Sequence, residues 1–406
     1  MRKSDIFFLL AVASLPIQLN KFFFPEFSYV LGIPIDYRAI AIYFSDILII
    51  GYLVLFFIEY RGKISKIVIP NKEFLTILTI FNIYLLLSSI FFSQSKEAST
   101  WFNIKIFLMS LTSFAAIISL EKPKIFQFFQ RVLTISLVWQ AVVIILQFFL
   151  QRSIGLWFLG ERSFDTSTVN IAHIQILGVQ FLRPYGTFPH PNVAAAFFVI
   201  GLLLIWKIKS KLYSVALTAA LILTGSKAAL FSLVLAVSLS KLKYLMLGFA
   251  VTLLGAWLFL KSITEFQIAS IAERLILSQA ALDIAVKNIL FGVGSNNFIL
   301  ELSKLDLSSL AQIRLLQPVH NVFLLIIAEN GLIGFLLFAA LLFTVLKNAS
   351  LPAGKAKSQL KIILFTIILI FASVDHFFWT LHQGQMLFFL SLSYILSKSD
   401  TIKHQQ

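Results

Sequence analysis

The chain alternates long apolar runs with short charged segments, and the runs have the pattern of membrane helices. A span needs about 20 apolar residues at ~1.5 Å each. Such runs fall at 6–20, 39–59, 73–92, 99–120, 125–150, 190–206, 211–224, 227–241, 243–261, 320–346, 359–378 and 384–397. The pattern predicts about 12 transmembrane helices. Only Thr224-Gly225-Ser226-Lys227 separates 211–224 from 227–241, so one kinked segment is the alternative there. Two segments between runs, 151–189 and 262–319, exceed the roughly 15 residues of an ordinary connector. The second places Ile271, Leu275, Leu277, Ala281, Leu282, Ala285 and Ile289 near helical spacing. Both segments fit pieces lying on the membrane surface over a cavity. The expected fold is all-α: one polytopic membrane domain over 1–406, with two long extracytoplasmic loops containing interfacial helices.

Composition supports that solvent. Of 406 residues, 59% are apolar and 13% charged, with 43 Phe and no Cys. The mean hydropathy is +0.92. Soluble domains average about 45–50% apolar and roughly 25% charged residues. An ordinary soluble enzyme, a disordered chain and a disulfide scaffold are therefore excluded.

The net charge of +15 sets orientation. With the N-terminus inside, the inside segments and adjoining helix ends hold 19 of the 33 basic residues, mostly on short loops. Lys and Arg near helix ends mark the cytoplasmic side, so both termini are expected there. Each alternate loop agrees, which favours a break at 224–227. Ala11-Val12-Ala13 fits a leader cleavage site, but the apolar run before it is short, so a retained first span is expected. The basic excess then orients helices and attracts anionic lipid heads; it needs no nucleic acid.

The unusual polar residues gather at the outer edge. Arg183-Pro184-Tyr185-Gly186-Thr187-Phe188-Pro189-His190-Pro191-Asn192 enters a span. Pro191 suits a first helical position, and His190 and Asn192 then sit at a helix mouth whose free N–H groups favour an anion. Lys227 follows a tight outer turn. Glu273-Arg274 precedes Phe291-Gly292-Val293-Gly294-Ser295-Asn296-Asn297-Phe298, where the Gly pair permits a tight turn or close backbone approach. That turn lacks the strand–helix context and third Gly of a dinucleotide site. Arg274 suits a phosphate because its planar fork makes paired contacts.

Pro318-Val319-His320-Asn321 opens another span, followed after nine residues by Gly331-Leu332-Ile333-Gly334. Histidine, with an ordinary pKa near ~6.5, is the side chain best suited to take a proton at neutral pH. Gly331 and Gly334 would let a helix pack closely, and Glu329 should face protein rather than lipid. Asp375-His376 and His382-Gln383 bracket a short outer turn, where a buried Asp could orient a His. Asp46 and Lys105 lie within spans and have opposite sign, so an ion pair is expected. Each polar residue also has a plainer reading, as a cap or a solvated end. With no Cys and no paired carboxylates at metal-site spacing, neither a metal nor a cofactor is expected.

At these residues the chain resembles the bacterial O-antigen ligase and polymerase superfamily, over most of its length and most strongly from about 183 to 397. His320-Asn321, nine residues, then Gly331-x-x-Gly334 resembles the ligase His motif. Arg183-x-x-Gly186-Thr187-Phe188 with His190-Pro191-Asn192 is similar to its R-x-x-G-T-F-x-H-P-N segment. Gly292-x-Gly294 with Asn297-Phe298 resembles its G-x-G-x-x-N-F turn. Many members have Ser-Arg where Ser226-Lys227 stands, and Lys lacks the bidentate fork.

The resemblance implies a membrane fold of the glycosyltransferase C type in the bacterial cytoplasmic membrane. The implied activity is metal-independent, inverting transfer of a glycan from a polyprenyl pyrophosphate to an acceptor hydroxyl on the extracytoplasmic face. For ligases the acceptor is lipopolysaccharide core–lipid A. His320 would be the general base and Arg274 would hold the departing pyrophosphate, with Arg183 and Lys227 assisting. Asn321, His190 and Asn192 would position sugar or phosphate, with Asp375 and His376 beside them. A glycan polymerase or a protein O-glycosylating ligase could use the same parts. A polysaccharide exporter or flippase would place polar residues on both faces, often in repeated halves.

Overall fold

The computed structural model describes residues 1–62, 72–169, 171–176, 178–205, 211–240, 265–305, 315–350 and 355–398. The span expected at 243–261 lies outside the described residues, as do Lys63, Lys66, Lys207, Lys209, Lys241, Lys243 and Lys403 of the inside charges.

The described chain is mostly helical. In order the helices are α1 (Lys3–Ser14), α2 (Phe44–Glu59), α3 (Lys72–Phe91), α4 (Lys96–Leu120), α5 (Pro123–Leu150), α6 (Pro191–Leu204) and α7 (Lys211–Leu223). There follow α8 (Lys227–Ser240), α9 (Glu265–Lys287), α10 (Phe298–Leu302), α11 (Val322–Ser350), α12 (Lys355–Val374), α13 (Phe377–Thr380) and α14 (His382–Leu396). Among the described residues four helices, α3, α4, α5 and α11, are long and apolar enough to cross a membrane; α6, α8 and α12 are shorter apolar helices.

The outer faces are apolar too. On α2, Ile47, Ile50, Val54 and Ile58 form an exposed stripe opposite the buried Ile49, Tyr52, Leu53 and Phe56. A helix apolar all round is buried in protein or lipid. α14 is the protein-buried case: each of its residues is buried, and it packs against α4, α6, α11, α12 and α13.

The break at 224–226 is real. α7 stops at Leu223 and α8 starts at Lys227, with Gly225 at φ +64° between them. α7 packs on α5, whereas α8 packs on α12.

The all-α expectation needs correction. Three two-stranded antiparallel sheets are present among the described residues. β1 (Asn20–Phe23) pairs with β4 (Ile40–Tyr43), and β2 (Tyr29–Val30) pairs with β3 (Ile33–Pro34). Leu31 and Gly32 both have positive φ, as a two-residue hairpin turn requires. This segment shortens two expected spans. α1 ends at Ser14, two residues before Pro16, whose ring and missing N–H cannot continue a helix, and 40–43 joins β4, so α2 starts only at Phe44. In 151–189 the expected interfacial helix is replaced by β5 (His173–Ile176) paired with β6 (Val179–Leu182) and a single 3₁₀ turn at 157–159. The segment 262–319 is helical as expected, through α9 and α10. The face of α9 differs, however: Leu277, Ala281 and Ala285 are buried, whereas Ile271, Leu275, Leu282 and Ile289 are exposed.

Candidate active site

The site is assembled where helix ends and turns meet. β6 delivers Arg183, whose N–H donates to Ala172 O at 2.9 Å. Its Nε donates to Thr224 O at 2.7 Å, and a terminal nitrogen donates to Asn192 Oδ1 at 2.8 Å. One guanidinium thus ties the hairpin to the 224–226 turn and to the start of α6. Lys227 opens α8 directly after that turn. His190 caps α6, its Nδ1 accepting from Asn192 N at 3.1 Å, with Pro191 next in the first turn.

Asn192 then turns its amide nitrogen to Asp375 Oδ2 at 2.9 Å. The other oxygen, Oδ1, accepts from His376 N at 2.8 Å and lies 3.7 Å from His320 Nδ1. The His320 and His376 rings are 5.1 Å apart. His376 Nδ1 bonds Thr380 Oγ1 at 2.6 Å, and Tyr37 meets its ring edge-on at 5.5 Å. Asn321 caps α11, accepting from Phe323 N and Leu324 N, and donates to Ser373 O at 3.0 Å. Its amide therefore fixes the neighbouring His320. Arg274, on α9, reaches the same rim and donates to Val374 O at 2.7 Å.

Charge follows from this packing. Burial lowers Arg183 to about 10, which leaves it cationic at neutral pH. Burial and then the Arg183 charge push His190 down to about 3. Burial also takes His376 to about 3, against the pull of Asp375. Burial alone would raise the Asp375 carboxyl, but His320 and His376 beside it outweigh that and hold it well below the carboxylate range. Two imidazoles are thus kept neutral next to an ionised carboxylate. His320 is the histidine whose ring nitrogen faces that carboxylate without another hydrogen-bond partner.

His320, Asp375 and His376 place ligand atoms within 4.8 Å of one another, a spacing that could hold a metal ion. The surroundings suit a cation poorly. Both Asp375 oxygens already accept hydrogen bonds, His376 Nδ1 is bonded to Thr380, and Arg183 and Arg274 flank the group.

Two glycine motifs lie behind the site and meet each other. Gly292 has φ +69°, and a Cβ there would overlap the Glu329 carbonyl. Gly331, at φ +64°, breaks the helical geometry inside α11, and a Cβ there would overlap the Leu290 carbonyl. Gly294 N donates to Glu329 O at 2.7 Å, and Leu332 N to Ile289 O at 2.7 Å. The close partner of Gly331 is therefore a turn rather than the expected helix, while Gly334 does admit Tyr84 of α3. Glu329 faces protein as expected, accepting from Phe298 N. Arg38 locks the β1–β4 segment to this turn by donating to Asn296 O and Asn297 Oδ1.

A cavity of about 330 Å³ opens beside the cluster. His190, His320, Asp375 and His376 line one part; Tyr37, Tyr43, Trp101, Lys105 and His382 line the rest. None of this second set carries a substrate role in the sequence reading. Its signals were Lys105, a charge inside a span, and His382 at the short outer turn; the expected pair of Lys105 with Asp46 is formed.

The O-antigen ligase family model matches residues 192–339. Over these residues the chain is similar to that family. The matched part of the chain carries Asn192, Lys227, Arg274, His320, Asn321 and both glycine motifs; Arg183, His190, Asp375 and His376 flank it. No curated protein matches the chain. The family and the apolar helices together make this a membrane protein.

Proposed function

We propose that the protein is an O-antigen ligase-type glycosyltransferase that moves a glycan from a polyprenyl pyrophosphate to an acceptor hydroxyl. The observation that carries this reading is His320 Nδ1 facing the ionised Asp375 at 3.7 Å on a cavity wall, with Arg274 bonded to the carbonyl of Val374, the residue before Asp375. With Nδ1–H directed at Asp375, His320 Nε2 accepts the acceptor's proton. The freed oxygen attacks the anomeric carbon in line, the C–O bond to pyrophosphate breaks, and polyprenyl pyrophosphate leaves with inversion. Arg274 holds the departing pyrophosphate, with Arg183 and Lys227 adding positive charge. Fixed cations stabilise this growing charge, so the reaction needs no metal. Asn192 and Asn321 position these groups rather than react.

In this reading the chain is a glycosyltransferase C-like protein of about 12 spans in the bacterial cytoplasmic membrane, with both termini cytoplasmic and the cavity extracytoplasmic. The test is reconstitution with a prenyl-pyrophosphate glycan and three acceptors: core–lipid A, a second donor and a protein. Transfer to core–lipid A supports the ligase, transfer to a second donor a polymerase, and transfer to protein an oligosaccharyltransferase. Movement of the donor across the bilayer without transfer would make it an exporter. His320→Ala should abolish transfer while remaining folded in membranes; full transfer by that variant removes the mechanism.

A further inference from the structure

The cavity joins the His320 cluster to a second group of side chains that the transfer step leaves unused. Trp101 and Lys105 stand one turn apart on the same face of α4. Lys105 forms an ion pair with Asp46, and its Nζ lies 5.3 Å from the Trp101 ring centroid and 5.6 Å from that of Tyr43. His382 stacks on Tyr43 at 4.1 Å with the rings 7° from parallel, and its Nε2 bonds Ser45 Oγ at 2.6 Å. Asp46 Oδ1 and His382 Nδ1 face each other at 3.8 Å, too far for a hydrogen bond, and neither has another partner. Lys105 and Asp46 are only 13% and 5% exposed. Removing two charges from water is costly, and ionisable residues at membrane depth mark substrate sites more often than scaffolding.

We propose that this end of the cavity is a pyranose-binding subsite, holding the sugar next to the one that reacts. This rests on the glycan-transfer reading and names what that site selects. A pyranose offers an apolar C–H face and a rim of hydroxyls, each both donor and acceptor. Trp101 supplies an aromatic face with a polar edge, and the stacked Tyr43–His382 pair forms the wall beside it. Lys105 and His382 line the cavity, Lys105 as donor and His382 as donor or acceptor, while Asp46 behind them holds Lys105 in place. The Asp46–Lys105 pair carries no net charge, so the subsite fits a neutral sugar rather than a uronic acid or a phosphate. All five residues lie outside 192–339. The matched segment supplies His320 and Arg274, and flanking parts of the chain select the sugar.

The test uses the purified full chain in detergent and five methyl glycosides: glucoside, galactoside, N-acetylglucosaminide, rhamnoside and glucuronide. Binding is read by saturation-transfer-difference NMR and tryptophan fluorescence. At least one neutral glycoside should bind saturably. Trp101→Ala and the charge-free Asp46→Asn/Lys105→Gln pair should each weaken it tenfold or more, while Trp101→Phe and His320→Ala retain it. Melting curves establish that each variant is folded. Binding of no neutral glycoside, binding of the glucuronide alone, or unchanged binding in folded Trp101→Ala overturns the proposal. Loss of the transfer reading with binding intact would overturn the reaction and leave the subsite standing.

Discussion

The Asn192 side-chain amide donates to Asp375 Oδ2 at 2.9 Å, joining residues 183 positions apart. With His376 N on Oδ1, this bond fixes the carboxylate that faces His320. Asp375→Asn removes the charge that orients and stabilises the base. Transfer should fall about 10²–10⁴-fold in kcat, with the donor KM little changed. Asn192→Ala loses one hydrogen bond to a charged group, about 1.5–3 kcal/mol, and should cost about tenfold or more. Steady-state transfer kinetics of the two variants check both values.

Arg183 and Arg274 should respond differently to Lys. Arg183 bridges Thr224 O and Asn192 Oδ1 with two nitrogens of one planar group, which an ammonium cannot reproduce. Arg183→Lys should lower the melting temperature, with a stability loss of about 1–3 kcal/mol. Arg274 is half-buried with a bond to a single carbonyl. Arg274→Lys should leave the melting temperature near that of the parent and raise the donor KM. Equal behaviour of the two variants would contradict these assignments.

The neutral histidines predict acid sensitivity. His190 and His376 take up protons only near about 3 in the fold, against an ordinary value near ~6.5 when unfolded. Between those values the unfolded chain binds more protons. Their contribution is therefore present above ~6.5 and lost as pH falls toward about 3. The depressed Asp375 acts in the same direction at lower pH. Melting temperature should decline with acidification over this window, and His376→Gln should flatten the decline. An identical slope in the variant would rule out His376 as a source.

Gly292→Ala and Gly331→Ala should each impair folding. Both combine positive φ with a Cβ overlapping backbone, so the usual strain of about 1–3 kcal/mol is a lower bound. Gly155→Ala is the control: it too has positive φ, at +88°, but no atom lies within 4 Å of its Cβ position. Its loss should be the strain alone. The yield of monodisperse protein and its melting temperature separate these cases.

Much of the helical pattern was legible because apolar run length is a local signal. Pro191 at the start of α6, the break after Leu223 and the turn before α14 all follow from residues within a few positions. The strand segment 20–43 was not legible. Asn20–Phe23 and Ile40–Tyr43 adjoin apolar runs, and their pairing joins positions about twenty residues apart. Within the site, His320, Arg183 and Asp375 were identifiable from residue type and motif. The roles of Asn321 and Asn192 were not, because which group an amide binds is decided by distant carbonyls and carboxylates. Gly331 follows Glu329-Asn330 inside an otherwise apolar run, and its positive φ accompanies close packing on the distant Leu290 backbone.

The Gly292–Gly331 contact also bears on how the two sides of the site are held. It locks the chain just after α9, which carries Arg274, to α11, which His320 immediately precedes. The lock is made by main chain, with no side chain free to slide. Cation and base are therefore anchored to one block, as two jaws cut from the same piece. On the opposite side of the cavity, 20–43 is clasped to the same block by Arg38. Both sides of the site are thus built on one turn, 292–297.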